Sequence, residues 1–373
     1  VFTPSSSLHR RPDLPSLTSI RAFAALAVFA YHLHPWQQFA WLAPLKYGYT
    51  GVTIFFVLSG FILTWTHNPA QNYRQFYLRR FARIYPTYLV VLCGVLCWSA
   101  VSGNGRDLGA TLTNLTLIHA WFTDPGIYAG INGVTWSLAC EMFFYALFPL
   151  LWRAAQRISL RSLWCIVGGI FAGYAIVTVT IASQQASRDV LQTLYANPLA
   201  RLPEFLLGIA VASTSIAGKW IPGWLTGATL GFAAAGAVFL PQWPVANVWA
   251  TPLAAASIVW LAKKDLNRSP SAPRRAWLQM AGRVSYAFYL VHGLVLLKLE
   301  NQGLVLRAVV AFLISAVIGL ALHKLVELPA NRWIIDRLGT TSSRLLVDHI
   351  IRQRNQADNA PPAAEDVVRS RNR

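Results

Sequence analysis

Acidic side chains are scarce in this chain, with 14 Asp and Glu among 373 residues, and only 12% of positions carry a formal charge. A soluble domain of this length carries roughly twice that share of charge, so a water-soluble globular fold is excluded. Cysteine is also scarce. Cys93, Cys97, Cys140 and Cys165 lie in or beside apolar stretches without paired CxxC sets. That excludes a disulfide framework and a zinc site and leaves the thiols as small apolar groups. No HExxH or related histidine spacing occurs, so no metal is expected. Strand-like alternation is missing, which sets aside a membrane barrel, and no internal repeat or nucleotide-binding motif is visible.

Hydrophobic residues make up 55% of the chain, including 15 Trp. Several charge-free windows of about 17–22 residues match a helix crossing a hydrocarbon core roughly 30 Å thick. The expected fold is all-α, a polytopic integral membrane protein of about ten transmembrane helices. The spans are read at residues 17–33, 48–65, 84–101, 134–152, 163–182, 202–217, 224–240, 248–262, 278–297 and 304–326. With the N-terminus in the cytoplasm, only Lys46, Arg106, Arg188, Arg201, Lys298 and Arg307 fall near the outer side. The positive-inside rule therefore predicts that both termini are cytoplasmic.

The same rule, with attraction to anionic lipid headgroups, accounts for the net charge of +18. Nucleic acid is not an expected partner, because the basic residues are dispersed among short loops without a base-reading motif. Residues 1–16 read as a cytoplasmic segment, 17–338 as the membrane domain and 339–373 as a cytoplasmic, partly disordered tail. No cleavable signal peptide is expected, since the first apolar run is too long and no small-residue cleavage pattern follows it. Residues 102–133, outside the membrane, are read as a re-entrant or interfacial cap.

Five segments hold more polar groups than membrane packing needs. In the first span, Arg21 and His32 are eleven residues apart, which returns them to one helix face about 16 Å apart along the axis. An ionisable group in lipid costs on the order of 2.5–3.5 kcal/mol, so such groups usually serve function. His32 suits a general base, or an interhelical hydrogen bond near the outer boundary. Next, Gly51 to Phe61 includes Phe55-Phe56-Val-Leu-Ser59-Gly60-Phe61, whose small residues allow close helix approach. Arg79, Arg80 and Arg83 with Tyr85 follow; they are either a topology signal or an arginine fork for phosphate.

Trp136-Ser137 opens the fourth span, where Ser137, Glu141 and Tyr145 recur every four residues on one face. Glu141 is expected near the depth of His32, partnered by Arg21, by His32 or by a ligand. Arg201 and Glu204 form a local pair or a ligand contact. Finally Ser285, Tyr286, Tyr289 and His292 offer cavity-lining groups, and Glu327 snorkels or pairs with Arg332.

In these motifs and their order, from Leu17 to Pro329, the chain resembles the membrane-bound acyltransferase-3 family. Its members O-acylate polysaccharides, lipopolysaccharide, peptidoglycan and small molecules. Many relatives have Asp and Gly where this chain has Thr18 and Ser19, and Asp where Thr53 stands. Some carry an added soluble SGNH esterase-like domain; a stand-alone membrane unit is expected here.

The resemblance implies an O-acetyltransferase of the bacterial inner membrane that uses acetyl-CoA as co-substrate. Arg79, Arg80, Arg83 and Tyr85 would hold the CoA phosphates, with Arg21 guiding the donor inward. His32 would act as general base or transient acyl carrier, oriented by Glu141. Trp136, Ser137, Tyr145, Arg201, Glu204, Tyr289 and His292 would contact the acceptor, a cell-surface glycan or a polyprenyl-linked oligosaccharide. The competing reading is a multi-pass transporter or lipid-handling protein that uses the buried His, Glu and Arg as a relay. A transporter predicts inverted repeats with paired broken helices, which the sequence does not display.

Overall fold

The computed structural model describes residues 11–69, 71–220, 223–239, 243–268 and 275–339. The expected disorder of the tail falls on residues 340–373, outside the described residues, as do residues 1–10 of the N-terminal segment. Among the described residues the secondary structure is helical throughout, in fourteen α-helices joined by short 3₁₀ and π turns. They are α1 (Pro15–His32), α2 (Gly51–Thr66), α3 (Tyr73–Val101), α4 (Leu108–Leu115), α5 (Pro125–Tyr128), α6 (Trp136–Arg157), α7 (Leu160–Ser183), α8 (Arg188–Ala196), α9 (Pro198–Ile216), α10 (Gly223–Phe239), α11 (Ala246–Leu266), α12 (Ala276–Lys298), α13 (Leu304–Leu322) and α14 (Leu328–Ile334). Each of the ten expected spans falls on one of the ten longest. Eight helices among the described residues are long and apolar enough to cross a membrane, and α10 is apolar but shorter.

The chain is a multi-pass membrane protein, and its helices are held together where side chains are smallest. A Cβ at Gly60 of α2 would overlap the Phe205 carbonyl, and one at Gly208 of α9 would overlap the Val57 carbonyl. The two backbones therefore cross in direct contact, the small-residue packing that replaces the hydrophobic effect within lipid. Beside this crossing, Phe144 of α6 sits edge-on to Phe56 (5.2 Å) and stacks on Phe205 (4.9 Å), so three helices share one aromatic core.

Helix α1 carries the first polar motif and is pinned from α11. The Ser16 backbone N–H and hydroxyl each donate to the Asp265 carboxylate at 2.8 Å, in a buried contact 249 residues apart in sequence. An acceptor here satisfies an N–H in the first turn, and its negative charge complements the positive end of the helix dipole. Arg11 performs the opposite service, donating to the Trp65 carbonyl at 2.8 Å at the C-terminal end of α2. Asp265→Ala should lower stability by about 2–4 kcal/mol, since two buried hydrogen bonds to a charged group are lost. The thermal midpoint of the detergent-solubilised protein reads this directly, with Asp265→Asn intermediate.

The 102–133 segment, a cap over α3, holds α4, the 3₁₀ turn His119–Trp121 and α5. Tyr88 donates to the Asn114 carbonyl (2.7 Å) and Tyr85 to the Leu115 carbonyl (2.9 Å), fastening the cap to α3. His119 is buried beneath it, 3.3 Å from the Thr135 hydroxyl. Burial pushes its imidazole down to about 4, so it is neutral at physiological pH.

Candidate active site

A cavity of about 410 Å³ opens at the end of the bundle where α1 finishes. Its wall is largely aromatic: Tyr31, Tyr49, Tyr128, Trp136, Tyr195, Trp243 and Tyr289. Among the described residues that line it, His32 is the one imidazole and Arg188, at the start of α8, the one charged side chain. The rings contact in a series, Tyr31 to Tyr49 (5.3 Å), Tyr49 to Tyr195 (5.7 Å), and Tyr195 to both Trp136 (4.7 Å) and Trp243 (5.1 Å). Aromatic faces and phenol hydroxyls together suit a polyhydroxylated molecule with apolar ring faces.

His32 ends α1 because Pro35 prevents the helix from continuing. Its Nδ1 lies 3.1 Å from Nε2 of His292 on α12, and Nδ1 of His292 is 2.7 Å from the Tyr289 carbonyl oxygen. Tyr289, one turn earlier on α12, presents its ring to the cavity and its hydroxyl to Ser137 (3.0 Å) and the Val134 carbonyl (3.1 Å). His292 is itself wholly buried, between Phe288 and Phe29.

A second polar cluster lies around Arg21, about 16 Å further along α1 at 1.5 Å per residue. Glu141 accepts a hydrogen bond from the Tyr145 hydroxyl at 3.0 Å and lies within electrostatic reach of Arg21, Arg80 and Arg83. These four charged residues are half-buried. Three guanidinium groups against one carboxylate make an anion-attracting surface. Glu327 adds a second carboxylate within reach of Arg21. It is held by His323 at 2.8 Å on the π turn His323–Glu327.

Between the clusters, Arg21 lies over the Phe55 ring (5.7 Å), and Phe55 is edge-on to Tyr289 (5.9 Å). The rings of Phe55 and Tyr289 thus lie between the arginine cluster and the aromatic cavity.

Of the partners expected for Glu141, the structure supplies Arg21 and not His32. Glu141 sits with Arg21 and the α3 arginines, while the polar partner of His32 is His292. Both Trp136 and His32 line the cavity, so Glu141, five residues further along α6, lies about 7 Å deeper. Arg80 and Arg83 face Glu141, whereas Arg79 is exposed and Tyr85 is committed to the cap. Glu327 is paired with His323. Tyr31, Tyr49, Tyr195, Trp243, Arg188 and Gln192 were not selected from the sequence. Only Tyr31 had a local signal, its place beside His32.

Arg201 and Glu204 form a wholly buried ion pair at 3.0 Å behind the cavity. Arg201 also donates to the Thr53 hydroxyl at 3.1 Å, and that hydroxyl donates to Glu204 at 3.2 Å. The guanidinium lies over the rings of Phe56 (5.2 Å), Tyr195 (5.4 Å) and Trp136 (5.9 Å), so the last two have the cavity on one side and a cation on the other. Thr53 thus bridges the pair, and Glu204 supplies its negative charge.

The all-helical membrane bundle thus places an imidazole in an aromatic cavity at the end of α1 and gathers arginines around Arg21 on the same helix. The acyltransferase domain profile matches residues 14–323, and the chain belongs to the acyltransferase-3 family. Acyltransferase MdmB of Streptomyces mycarofaciens is 37% identical over 306 residues, covering 76% of this chain and 79% of that protein. Nodulation protein 10 of Rhizobium leguminosarum bv. viciae is 26% identical over 322 residues, covering 76% and 83%. The peptidoglycan O-acetyltransferase OatA of Listeria monocytogenes is 32% identical over 161 residues, 38% of this chain and 24% of its own length. No solved structure matches. The protein is a membrane acyltransferase.

Proposed function

We propose that this acyltransferase moves an acetyl group from acetyl-CoA, on the cytoplasmic side of the bacterial inner membrane, to a hydroxyl of a glycan held at the outer side. The observation that carries this reading is the placement of two unlike groups of side chains along one helix, an arginine cluster around Arg21 and an aromatic cavity around His32. The excess of basic residues in one set of loops supports assigning the Arg21 end to the cytoplasm. A lipid-linked precursor of a cell-surface polysaccharide fits an acceptor that must enter from the membrane. The OatA relative, by its name, acetylates peptidoglycan.

In this mechanism Arg80 and Arg83 bind the CoA phosphates, Glu141 and Tyr145 hold the guanidinium groups in place, and Arg21 lies on the route past Phe55. The linear pantetheine arm spans the gap to Tyr289 and brings the thioester to His32. His32 Nε2 takes the proton from the sugar hydroxyl as its oxygen attacks the thioester carbonyl carbon. The C–S bond then breaks, the new ester stays on the sugar, and the imidazolium returns its proton to the departing CoA sulfur. Trp136, Tyr195 and Trp243 give the sugar ring faces to stack on.

The test is the purified protein in lipid with radiolabelled acetyl-CoA and a polyprenyl-linked oligosaccharide. Label is expected on the glycan as an alkali-labile ester, with one CoA thiol released per ester. Arg80→Gln and Arg83→Gln should each raise KM for acetyl-CoA about tenfold, the loss of one charge-assisted bond, with kcat nearly unchanged. Transfer without CoA release, or an unaltered KM in both variants, would remove the donor assignment.

A further inference from the structure

We infer that His292 is a positioning residue that fixes the tautomer of His32, so that a histidine takes the place a carboxylate occupies in the usual base-orienting pair. The inference rests on His32 acting as base, and it assigns to His292 a task distinct from contact with the acceptor.

The argument follows the proton along three groups. A carbonyl oxygen only accepts hydrogen bonds, so the 2.7 Å contact from His292 Nδ1 to the Tyr289 carbonyl requires a proton on Nδ1. A neutral imidazole carries one N–H, so His292 Nε2 is a bare lone pair. That lone pair faces His32 Nδ1 at 3.1 Å, and only a proton on His32 Nδ1 makes the contact a bond instead of a repulsion between two lone pairs. Neutral His32 is then protonated on Nδ1 and bare on Nε2, the form a general base must have.

The surroundings leave this chain of bonds undisturbed. His292 packs between Phe288, stacked at 5.9 Å, and Phe29, edge-on at 6.2 Å, and is fully buried. Phe312 of α13 flanks both phenylalanines. Glu141, the carboxylate expected to orient His32, is committed to Tyr145 and the arginines. A neutral partner aligns the ring without adding a negative charge that would trap the imidazolium, which keeps His32 able to hand its proton to the leaving sulfur.

His292→Leu removes the acceptor while keeping an apolar side chain among the phenylalanines. It should lower kcat about 100-fold and leave KM for both substrates nearly unchanged, as loss of a group that orients the base. His292→Gln restores an acceptor oxygen near the former Nε2 and should recover kcat to within about tenfold of wild type. Independently of any variant, ¹⁵N-histidine-labelled wild-type protein in lipid should show the His32 signal, identified by its loss in His32→Ala, as an Nδ1-protonated ring.

An Nε2-protonated His32, full activity in His292→Leu, or a Gln variant no better than Leu would each overturn the inference. The reading of His32 as base is judged separately. If His32→Ala keeps wild-type turnover, that reading fails; if His32 is essential and His292→Leu is not, only the present inference fails.

Discussion

His32→Ala should reduce acyl transfer about a thousandfold while leaving the fold and donor binding intact. A positioned general base contributes roughly 10²–10⁴ to rate, and His32 is the imidazole among the described residues lining the cavity. The neighbouring phenols cannot substitute, since an ordinary phenol with its pKa near 10 keeps its proton at physiological pH. The loss should fall on kcat. The arginines assigned to acetyl-CoA gather near Arg21, which stands about 16 Å along α1 from His32, so KM for the donor should stay within about twofold. Steady-state release of CoA thiol, measured beside a thermal midpoint, separates lost chemistry from lost folding. A variant with wild-type turnover would remove His32 from the mechanism.

Glu204→Leu should be among the most destabilising single changes in the protein, at about 3–5 kcal/mol, because it strands the Arg201 charge in a fully buried site. Arg201 has Nε and Nη1 turned toward groups that do not accept hydrogen bonds, so Glu204 and Thr53 are its main polar support. Three aromatic faces supply the rest of its compensation, each through a cation–π contact.

The double variant Arg201→Met, Glu204→Leu should regain most of that loss, since neither charge is then uncompensated and the volume is nearly kept. Thermal midpoints of the four proteins in one detergent complete the cycle. Equal, additive losses would mean that the two residues are stabilised separately. Because Trp136 and Tyr195 rest on Arg201, the double variant should also weaken acceptor binding while donor KM holds. That split would mark the pair as the support of the cavity floor.

The contrast between Glu141 and Glu204 explains why the site was only half legible from sequence. Both are carboxylates on spanning helices, both need a partner, and for both the sequence offers candidates. For Glu204 the partner is three residues away on the same helix, and helical geometry alone brings the two together. For Glu141 the choice between His32 and Arg21 depends on how deep α6 stands relative to α1. Hydropathy locates a span to within several residues, which on a helix is an uncertainty of several ångströms, enough to exchange one partner for the other.

The positions of the ten longest helices, eight of them long and apolar enough to cross a membrane, the shared face of Arg21 and His32, and the Ser137, Glu141, Tyr145 row followed from the chain alone. Each depends on the length of apolar sequence set against bilayer thickness, or on the 3.6-residue period, and both are local. The tertiary structure decided the His32–His292 contact across 260 residues, the Asp265 clamp on Ser16 across 249, and an aromatic cavity assembled from α1, α2, α6, α8 and α12. Those depend on the rotation and crossing of whole helices. Points such as Gly60 against Gly208, where two backbones touch, set that geometry, and a contact between distant segments leaves no periodic trace in either one.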